Sequence, residues 1–271
     1  MRTEDGTINF QVRGQGAPVV LIHGVGANLG SWDAVTAELE DSFKIIRPDL
    51  RGHGKSAPIE GSYSVEKFAA DIIAVMDAAG VKRAHLVGFS LGGLIAQKLA
   101  TDYANRFDRI VILSAVAGRT EEEQAKVVAR LDMIREGGMD AVTGAAAERW
   151  FTEDFARRHP EIIEKRIAEL KSVHLDSYLE AYRVFGTTEL IDTLHRIERP
   201  VLVMTGEFDQ GSNTRMAQDM HKLIPGSELI ILPDLKHSVL VEASDVVAEH
   251  VREFLQRSQW GRKRGNGQTA I

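Results

Sequence analysis

The sequence Gly88-Phe89-Ser90-Leu91-Gly92-Gly93 lies between an apolar run, Ala84 to Val87, and a helical pattern that starts at Leu94. This is the setting of a nucleophile elbow, in which a serine joins a strand to a helix in a strained backbone conformation. Glycines two residues before and after the serine leave space around that backbone. Because a G-x-S-x-G sequence also arises by chance, the alternative is an ordinary turn whose serine is a helix N-cap. The rest of the chain has to decide between the two.

The composition limits the kinds of protein that the chain can be. Its 271 residues, 44% of them hydrophobic, suffice for one large α/β domain with an insertion. The net charge is −6 and charges of both signs are spread along the chain, so no basic strip suggests nucleic acid. The chain has no cysteine, its first six residues do not resemble a signal peptide, and no apolar run approaches the ~20 residues that span a bilayer. We therefore expect a cytoplasmic protein, monomeric or homo-oligomeric, whose partner is a small molecule rather than nucleic acid or a membrane.

Short apolar runs alternate with amphipathic helical patterns through most of the chain. This alternation is typical of a mostly parallel sheet that is covered by helices on both faces. A helix is predicted from Val65 to Ala79, and Gly80 ends it. Residues Ile8 to Val12 are predicted to add an antiparallel strand at the edge. The other predicted strands are Val19 to Ile22, Phe43 to Arg47, His85 to Val87, Arg109 to Leu113, Pro200 to Thr205 and Glu228 to Leu232.

The alternation stops between about Arg119 and His195, where helical patterns and charges continue without a strand pattern. These helices either complete the fold or cover a binding site. An insertion between strands of an α/β sheet usually covers the crevice where ligands bind, which favours a lid. We therefore predict a core domain of residues 1–118 and 196–257 and a helical cap of residues 119–195. Residues 258–271 are polar and are predicted to be a disordered tail.

A serine nucleophile needs a base that removes its proton and a carboxylate that orients the base. In the elbow architecture the acid and then the histidine follow the serine, in loops after later strands. Asp209 and His237 lie in the loops after the last two predicted strands, and no other of the nine histidines follows the last strand in a loop. Glu207 and Asp234 are the competing acids. Asp209 is preferred because it lies further out on its loop than Glu207, whereas Asp234 is interpreted as a turn residue.

Acyl transfer places negative charge on a carbonyl oxygen, which two preorganised backbone N–H groups can stabilise. One is predicted to be the amide of Leu91, the residue after the serine at the first turn of its helix. The other is predicted to be the amide of Val25, in the loop His23-Gly24-Val25-Gly26 after an early strand. A histidine-glycine pair after a strand is weak evidence by itself. Joined to the elbow, it favours an oxyanion hole.

From Thr7 to Leu255 the chain resembles enzymes of the α/β-hydrolase fold. The matching features are His23-Gly24, the run Asp49-Leu50-Arg51-Gly52-His53-Gly54-Lys55-Ser56, the elbow at Ser90, Asp209 and His237. The resemblance implies a mostly parallel eight-stranded sheet flanked by helices, an inserted helical cap, and catalysis without a cofactor or a metal. It also implies a structural role for the run that starts at Asp49. Haloalkane dehalogenases and epoxide hydrolases of this fold carry aspartate at the elbow, so Ser90 argues against both.

A narrower resemblance is to bacterial 3-oxoadipate enol-lactonases. It rests on Gly26-Ala27-Asn28-Leu29-Gly30-Ser31-Trp32-Asp33, on Arg149-Trp150-Phe151-Thr152 and on the overall length. The chain differs at Asp209-Gln210-Gly211-Ser212-Asn213, where the lactonases usually have a Thr-Pro pair after the acid. The resemblance implies a small lactone substrate that carries a carboxylate, and a place in the degradation of aromatic compounds.

Four residues are predicted to bind the substrate, and they are Asn28, Phe89, Arg119 and Trp150. The polar candidates are chosen because a carboxylate-bearing substrate needs a cation or several hydrogen-bond donors, and Arg130 and Arg149 offer the same charge. An arginine on a helix is more often solvated or paired on the surface. Phe89 should exclude water beside the serine, whereas Trp150 either lines the pocket or packs inside the cap.

The features together predict a serine hydrolase that cleaves a small carboxylic ester or lactone through an acyl-enzyme. An enzyme with the same triad that cleaves a C–C or amide bond in a ring-cleavage product is an alternative. A ligand sensor that keeps the pocket without turnover is a third hypothesis, which the complete set of Ser90, Asp209 and His237 makes the weakest.

Overall fold

A computed structural model of the chain describes residues 1–3, 7–58, 60–144 and 146–257, so the predicted tail at 258–271 lies outside the described residues. The strands are β1 (Phe10–Arg13), β2 (Ala17–Ile22), β3 (Phe43–Pro48), β4 (Ala84–Phe89), β5 (Phe107–Leu113), β6 (Val201–Gly206) and β7 (Glu228–Leu232). They form one sheet with the spatial order β1-β3-β2-β4-β5-β6-β7. The strands predicted from the apolar runs are therefore all present.

The sheet is parallel except at one edge, where β1 pairs with β3 in the antiparallel sense. The predicted antiparallel edge strand and the mostly parallel sheet are confirmed. The predicted number of strands, eight, is wrong for the part of the chain that the structure describes, where the sheet has seven. Ahead of β1, residues 1–3 and 7–9 form an isolated bridge between Arg2 and Asn9 and no further strand, because a single residue pair does not make a ladder.

The helices are α1 (Asp33–Leu39), α2 (Val65–Ala78), α3 (Leu91–Asp102), α4 (Glu121–Thr143), α5 (Ala146–Trp150), α6 (Glu153–Arg158), α7 (Pro160–Lys171), α8 (Leu175–Thr187), α9 (Thr214–Leu223), α10 (Val239–Glu242) and α11 (Ser244–Gln256). Helices α2, α3 and α9 pack on one face of the sheet, and α1, α10 and α11 on the other. Along β2 the buried side chains alternate between the two faces, which explains why its sequence is a continuous apolar run.

Helix α2 has a cap at its start and ends at the predicted Gly80. The Ser64 side chain accepts a hydrogen bond from the Lys67 amide at the start of the helix. Gly80 follows the helix with a φ of 68°, a conformation that glycine adopts without steric cost.

Helices α4 to α8 occupy the chain between β5 and β6. The glycine pair Gly137-Gly138 and Gly186 are both predicted to break helices here, and Gly138 does interrupt α4, with a φ of 64°. Gly186 does not interrupt α8, which continues to Thr187. A Cβ atom at Gly186 would lie 2.2 Å from Cγ1 of Val127, so this glycine lets α4 and α8 approach closely. Among the described residues, no helix is long and apolar enough to cross a membrane.

Candidate active site

The turn between β4 and α3 has the strained geometry of an elbow. Ser90 has φ 57° and ψ −115°, and its side chain makes no hydrogen bond to the helix, so it is not an ordinary N-cap. A Cβ atom at Gly88 would lie 2.1 Å from the carbonyl oxygen of Gly92, and one at Gly92 would lie 2.2 Å from that of Ile22. Only glycine fits either position without moving the backbone, which explains the flanking glycines of the motif.

Ser90 lies at the floor of a cavity of about 150 Å³. Loops at the carboxyl ends of the strands form one wall, and helices α4, α5, α7 and α8 form the other. The lining residues used below are Val25, Phe89, Arg130, Arg149, Trp150, Arg166, Tyr178, Tyr182, Asp209 and His237.

Asp209 and His237 meet in this cavity although they are 28 residues apart. Their Oδ2 and Nδ1 atoms are 2.6 Å apart. The other carboxylate oxygen, Oδ1, accepts hydrogen bonds from the amides of Gly211 at 3.0 Å and Ser212 at 2.9 Å. The carboxylate is therefore buried, held by two backbone donors, and directed at the imidazole.

The two competing acidic residues, Glu207 and Asp234, contact each other through the backbone amide of Asp234. Glu207 Oε2 accepts a hydrogen bond from the backbone amide of Asp234 at 3.1 Å. Asp234 has a φ of 57°, which agrees with its interpretation as a turn residue. Neither carboxylate lines the cavity around Ser90.

His237 is held on its other sides by aromatic and backbone contacts. The ring of Phe89 lies 5.0 Å from the imidazole, centroid to centroid. The next residue, Ser238, donates its amide hydrogen bond to the carbonyl of Trp150 at 2.9 Å. The loop that carries His237 is thus attached directly to helix α5, and the indole of Trp150 lines the same cavity.

The amides of Val25 and Leu91 are both at the cavity floor, where Val25 is a lining residue and Leu91 follows Ser90. Within the described ranges, neither amide donates a hydrogen bond to protein. A Cβ atom at Gly24 would lie only 3.0 Å from Cβ of Ser90, so the loop that carries Gly24 and Val25 passes close to the serine. Buried backbone donors are almost always satisfied, so two without an acceptor beside one serine indicate a place for a ligand oxygen.

Three arginines line the upper part of the cavity. Arg166 forms an ion pair with Glu169 at 2.7 Å. In the part of the chain that the structure describes, Arg130 and Arg149 have no ion-pair partner. Burial, and then the neighbouring charge of Arg130, lowers the pKa of Arg149 from its ordinary value. The cavity therefore holds positive charge that the protein itself does not neutralise.

Two of the four predicted substrate-binding residues, Phe89 and Trp150, line the cavity. The other two do not. The side-chain oxygen of Asn28 accepts a hydrogen bond from the Gly30 amide at 2.8 Å, which caps a short 3-10 helix. The Asn28 side chain therefore stabilises its own loop. Arg119 packs behind the cavity, where it donates to the carbonyl of Phe185 at 2.7 Å and lies over that ring.

The sequence analysis missed Arg166, Tyr178 and Tyr182 as lining residues. Helical periodicity alone places the two tyrosines on one face of α8, four residues apart, but it cannot say which face turns to Ser90. Burial raises the pKa of Tyr178 to about 12, so its hydroxyl stays a hydrogen-bond donor at neutral pH.

Two buried histidines, His23 and His53, lie behind the Val25 loop. Burial, followed by the positive charge that His53 can carry, lowers the pKa of His23 to about 3. Burial also lowers the pKa of His53. Asp49 opposes the shift at both rings, and Arg166 adds to it at His23. Burial therefore favours the neutral form of both imidazoles in the folded protein.

These pKa shifts predict a loss of stability in mild acid. As the pH falls below about 6.5, the unfolded chain binds more protons at these two histidines than the folded protein does, because their pKa values are lowered in the folded state. Each histidine then lowers the free energy of unfolding by up to about 1.4 kcal/mol per pH unit. Urea unfolding between pH 7 and pH 4.5 should give a shallower pH dependence for His23→Asn and His53→Gln than for the wild type. Identical slopes in all three proteins would show that these rings are charged in the folded state.

Within residues 1–3, 7–58, 60–144 and 146–257, no group of three His, Cys, Asp or Glu side chains could hold a metal ion.

A family model for the alpha/beta hydrolase fold matches residues 17–244, and the chain belongs to that family. The resemblance inferred from the elbow and the other motifs is thereby confirmed, and the protein is a hydrolase.

Several known proteins are similar to this chain over nearly its whole length. 3-Oxoadipate enol-lactonase 2 of Acinetobacter baylyi is 30% identical over 95% of this chain and 96% of its own length. The (E)-2-((N-methylformamido)methylene)succinate hydrolase of the same organism is 26% identical over 92% of this chain and 94% of its own. The crystal structure of the enol-lactonase from Burkholderia xenovorans is 27% identical, with a TM-score of 0.87 over 92% of this chain and 96% of that one.

Proposed function

We propose that the protein hydrolyses a small carboxylic ester or lactone through an acyl-enzyme, with Ser90, Asp209 and His237 as the catalytic triad. The observation that carries this proposal is the convergence of three things in one cavity. They are the strained Ser90, the 2.6 Å contact between Asp209 and His237, and two backbone amides without acceptors.

In this mechanism the imidazole of His237 takes the proton of the Ser90 hydroxyl as its oxygen attacks the substrate carbonyl. Asp209 accepts the Nδ1 hydrogen bond, keeps Nε2 free as the base, and stabilises the imidazolium that forms. His237 then returns the proton to the leaving oxygen. Water attacks the acyl-enzyme by the same route in reverse and releases the carboxylic acid and Ser90. For a lactone the leaving oxygen stays attached to the acyl group, so a single product leaves.

The amides of Val25 and Leu91 form the oxyanion hole in this proposal. They come from loops after β2 and β4, which are neighbours in the sheet, so both reach the same point above Ser90. Donors fixed by the backbone need no reorganisation as charge develops on the carbonyl oxygen, which is why such groups contribute strongly to catalysis.

We further propose that the substrate carries a carboxylate that binds Arg130 and Arg149. These guanidinium groups are near enough for one to lower the pKa of the other, they are partly desolvated, and they have no acidic partner among the described side chains. An anion placed between them relieves that repulsion and receives charge-assisted hydrogen bonds.

Residues 119–195 act in this proposal as a cap over a core of residues 1–118 and 196–257. The support is that α4, α5, α7 and α8 contribute the arginines and aromatic groups opposite Ser90. They also have a small apolar cluster of their own around Ile134, Leu170 and Tyr178. Such a cap selects the substrate while the strand ends perform the chemistry.

An enol-lactone of the 3-oxoadipate type is our first candidate substrate, because relatives with that activity match over nearly the full length. A second candidate activity is hydrolysis of an amide or related bond in a ring-cleavage product. It is favoured by the relative that is named a hydrolase of an N-methylformamido-methylene succinate. Both candidates place an anionic group beside the bond that is cleaved.

Matched substrates test the carboxylate proposal. We expect the nitrophenyl monoester of a short dicarboxylic acid to be hydrolysed with a much lower KM than the uncharged ester of the same length. Arg130→Met and Arg149→Met should each raise that KM about 10- to 100-fold, because each removes hydrogen bonds between charged groups. The uncharged ester should be hydrolysed with the KM of the wild type by both variants.

Arg135→Met is the matched control, because Arg135 is an exposed arginine of the same helix as Arg130 and pairs with Asp132 at 2.6 Å. It should leave both substrates unaffected. Equal losses for charged and uncharged esters would contradict the carboxylate proposal. Adding an enol-lactone, a vinylogous diketone and an enamide to the panel separates the two candidate activities.

A further inference from the structure

We propose that the buried imidazoles of His23 and His53 are positioning residues that orient the Val25 amide toward the oxyanion. The inference rests on the proposed function of that amide. His23 Nδ1 lies 2.8 Å from the carbonyl oxygen of Gly24, and His53 Nε2 accepts the amide hydrogen of Gly26 at 3.1 Å. The two rings therefore hold the peptide groups on both sides of Val25.

The first contact controls the peptide group that carries the Val25 N–H. In that planar trans group the C=O belongs to Gly24, and the C=O and N–H bonds point in opposite directions. His23 is fully buried and does not line the cavity, whereas Val25 does. Holding the carbonyl toward the imidazole thus directs the N–H toward the cavity. The Ala27 amide gives the same carbonyl a second, longer bond of 3.3 Å.

The second contact controls the peptide group between Val25 and Gly26. Residues 24 to 27 form a tight turn in which Gly26 has a φ of 67°, so the central peptide group could flip at low steric cost. The bond from the Gly26 amide to His53 selects one orientation of this group. Without that acceptor, Val25 would be free to rotate about its own backbone bonds and carry its N–H away from the oxyanion.

Backbone donors fix the hydrogen position on each ring. The Leu50 amide donates to His23 Nε2 at 2.9 Å, so Nδ1 carries the hydrogen that is given to Gly24. Conversely, the Gly26 amide donates to His53 Nε2, so its Nδ1 hydrogen goes to the Arg51 carbonyl at 2.9 Å. Each imidazole uses both nitrogens once, and together they brace the Val25 loop against the loop at 50–53. A second N–H hydrogen on either ring, as in a protonated imidazole, would point at the backbone N–H group that donates to that ring.

Paired amide substitutions separate a positioning role from a structural one. An asparagine amide reaches the place of an imidazole Nδ1, and a glutamine amide reaches the place of Nε2. His23→Asn keeps the bond to Gly24 and loses the bond to Leu50, whereas His23→Gln does the reverse. At the other ring, His53→Gln keeps the bond to Gly26 and His53→Asn loses it. Each variant removes one buried hydrogen bond, so the members of a pair should lose similar stability.

We expect His23→Asn and His53→Gln to retain kcat within about threefold of the wild type. His23→Gln and His53→Asn should lose about 10- to 100-fold in kcat with little change in KM, because a misdirected donor fails in the transition state alone. Urea unfolding of all four variants measures their stability. Each pair tests the positioning role independently of the other pair.

Equal kcat losses within both pairs, or losses that follow stability, would overturn the positioning role while leaving the proposed function intact. The wild-type protein shows which of the two proposals has failed. It is treated with a fluorophosphonate probe and assayed with the nitrophenyl monoester. A wild type that neither labels nor turns over would overturn the proposed function, and the positioning role with it.

Discussion

Ser90→Ala should fold like the wild type and lose ester or lactone hydrolysis by about 10⁴- to 10⁶-fold in kcat. The substitution removes one oxygen atom and leaves Cβ, so the strained backbone at φ 57° is unchanged in its steric cost. No hydrogen bond of the helix is lost, because the Ser90 hydroxyl does not act as a helix N-cap. The activity that remains would come from the oxyanion hole and from substrate binding.

Ser114→Ala is the matched control for this experiment. Ser114 is also a buried serine at the carboxyl end of a central strand, with a φ of 47°. Its hydroxyl has no partner among the described residues, and it does not line the cavity. The control should keep full activity and react with a fluorophosphonate probe, whereas Ser90→Ala should not label. Substantial turnover by a well-folded Ser90→Ala protein would remove the serine from the mechanism.

The sequence was sufficient to predict the elements that are under the strongest local constraint. The apolar runs predicted the inner strands, because a strand buried on both faces has few polar positions, whereas the edge strand β1 alternates apolar and polar residues. The elbow could be read from its glycines, since Gly88 and Gly92 each lie against backbone that leaves no room for a side chain. The order serine, acid, histidine then led to Asp209 and His237, which the structure brings to 2.6 Å.

The sequence was not sufficient where the outcome depends on how helices dock. Arg130, Arg149 and Arg119 carry the same charge, but the first two lie on α4 and α5 and line the cavity, whereas Arg119 lies in the loop before α4 and packs over Phe185. Asn28 was assigned to the substrate although its side chain is used by its own loop. Propensity and periodicity describe one helix at a time, whereas a pocket wall is set by the rotation of several helices against each other.

The buried histidines illustrate the same limit in the core. His23 and His53 belong to motifs that the sequence analysis recognised, yet their side chains had no assigned partner. They are 30 residues apart, and their ring centroids are 5.4 Å apart. The parallel pairing of β2 with β3 brings the two following loops together, so each ring can bond to the backbone of the other loop. That pairing is a property of the sheet and not of either motif.

Asp209→Asn should lower kcat by about 10⁴-fold while the protein stays folded. The asparagine oxygen can still accept the hydrogen bonds of the Gly211 and Ser212 amides, so the loop after β6 is kept. Its NH₂ group then faces His237 Nδ1, where the carboxylate oxygen lies at 2.6 Å in the native protein. Because this NH₂ group donates, Nδ1 must accept, and the ring hydrogen moves to Nε2. The base then carries a hydrogen toward Ser90 and cannot take another.

The competing acids supply the controls that make this result specific. Glu207→Gln and Asp234→Asn each remove a carboxylate within two or three residues of Asp209 or His237, but neither side chain lines the cavity. Both variants should keep kcat near the wild-type value, and Asp209→Asn should keep its KM because both carboxylate oxygens of Asp209 already bond to His237 and the loop amides. The change of tautomer can also be observed by NMR. In Asp209→Asn the ¹⁵N shift of His237 Nδ1 should take the value of an unprotonated nitrogen and that of Nε2 the value of a protonated one. A large loss in Glu207→Gln with an active Asp209→Asn would assign the acid to the other carboxylate.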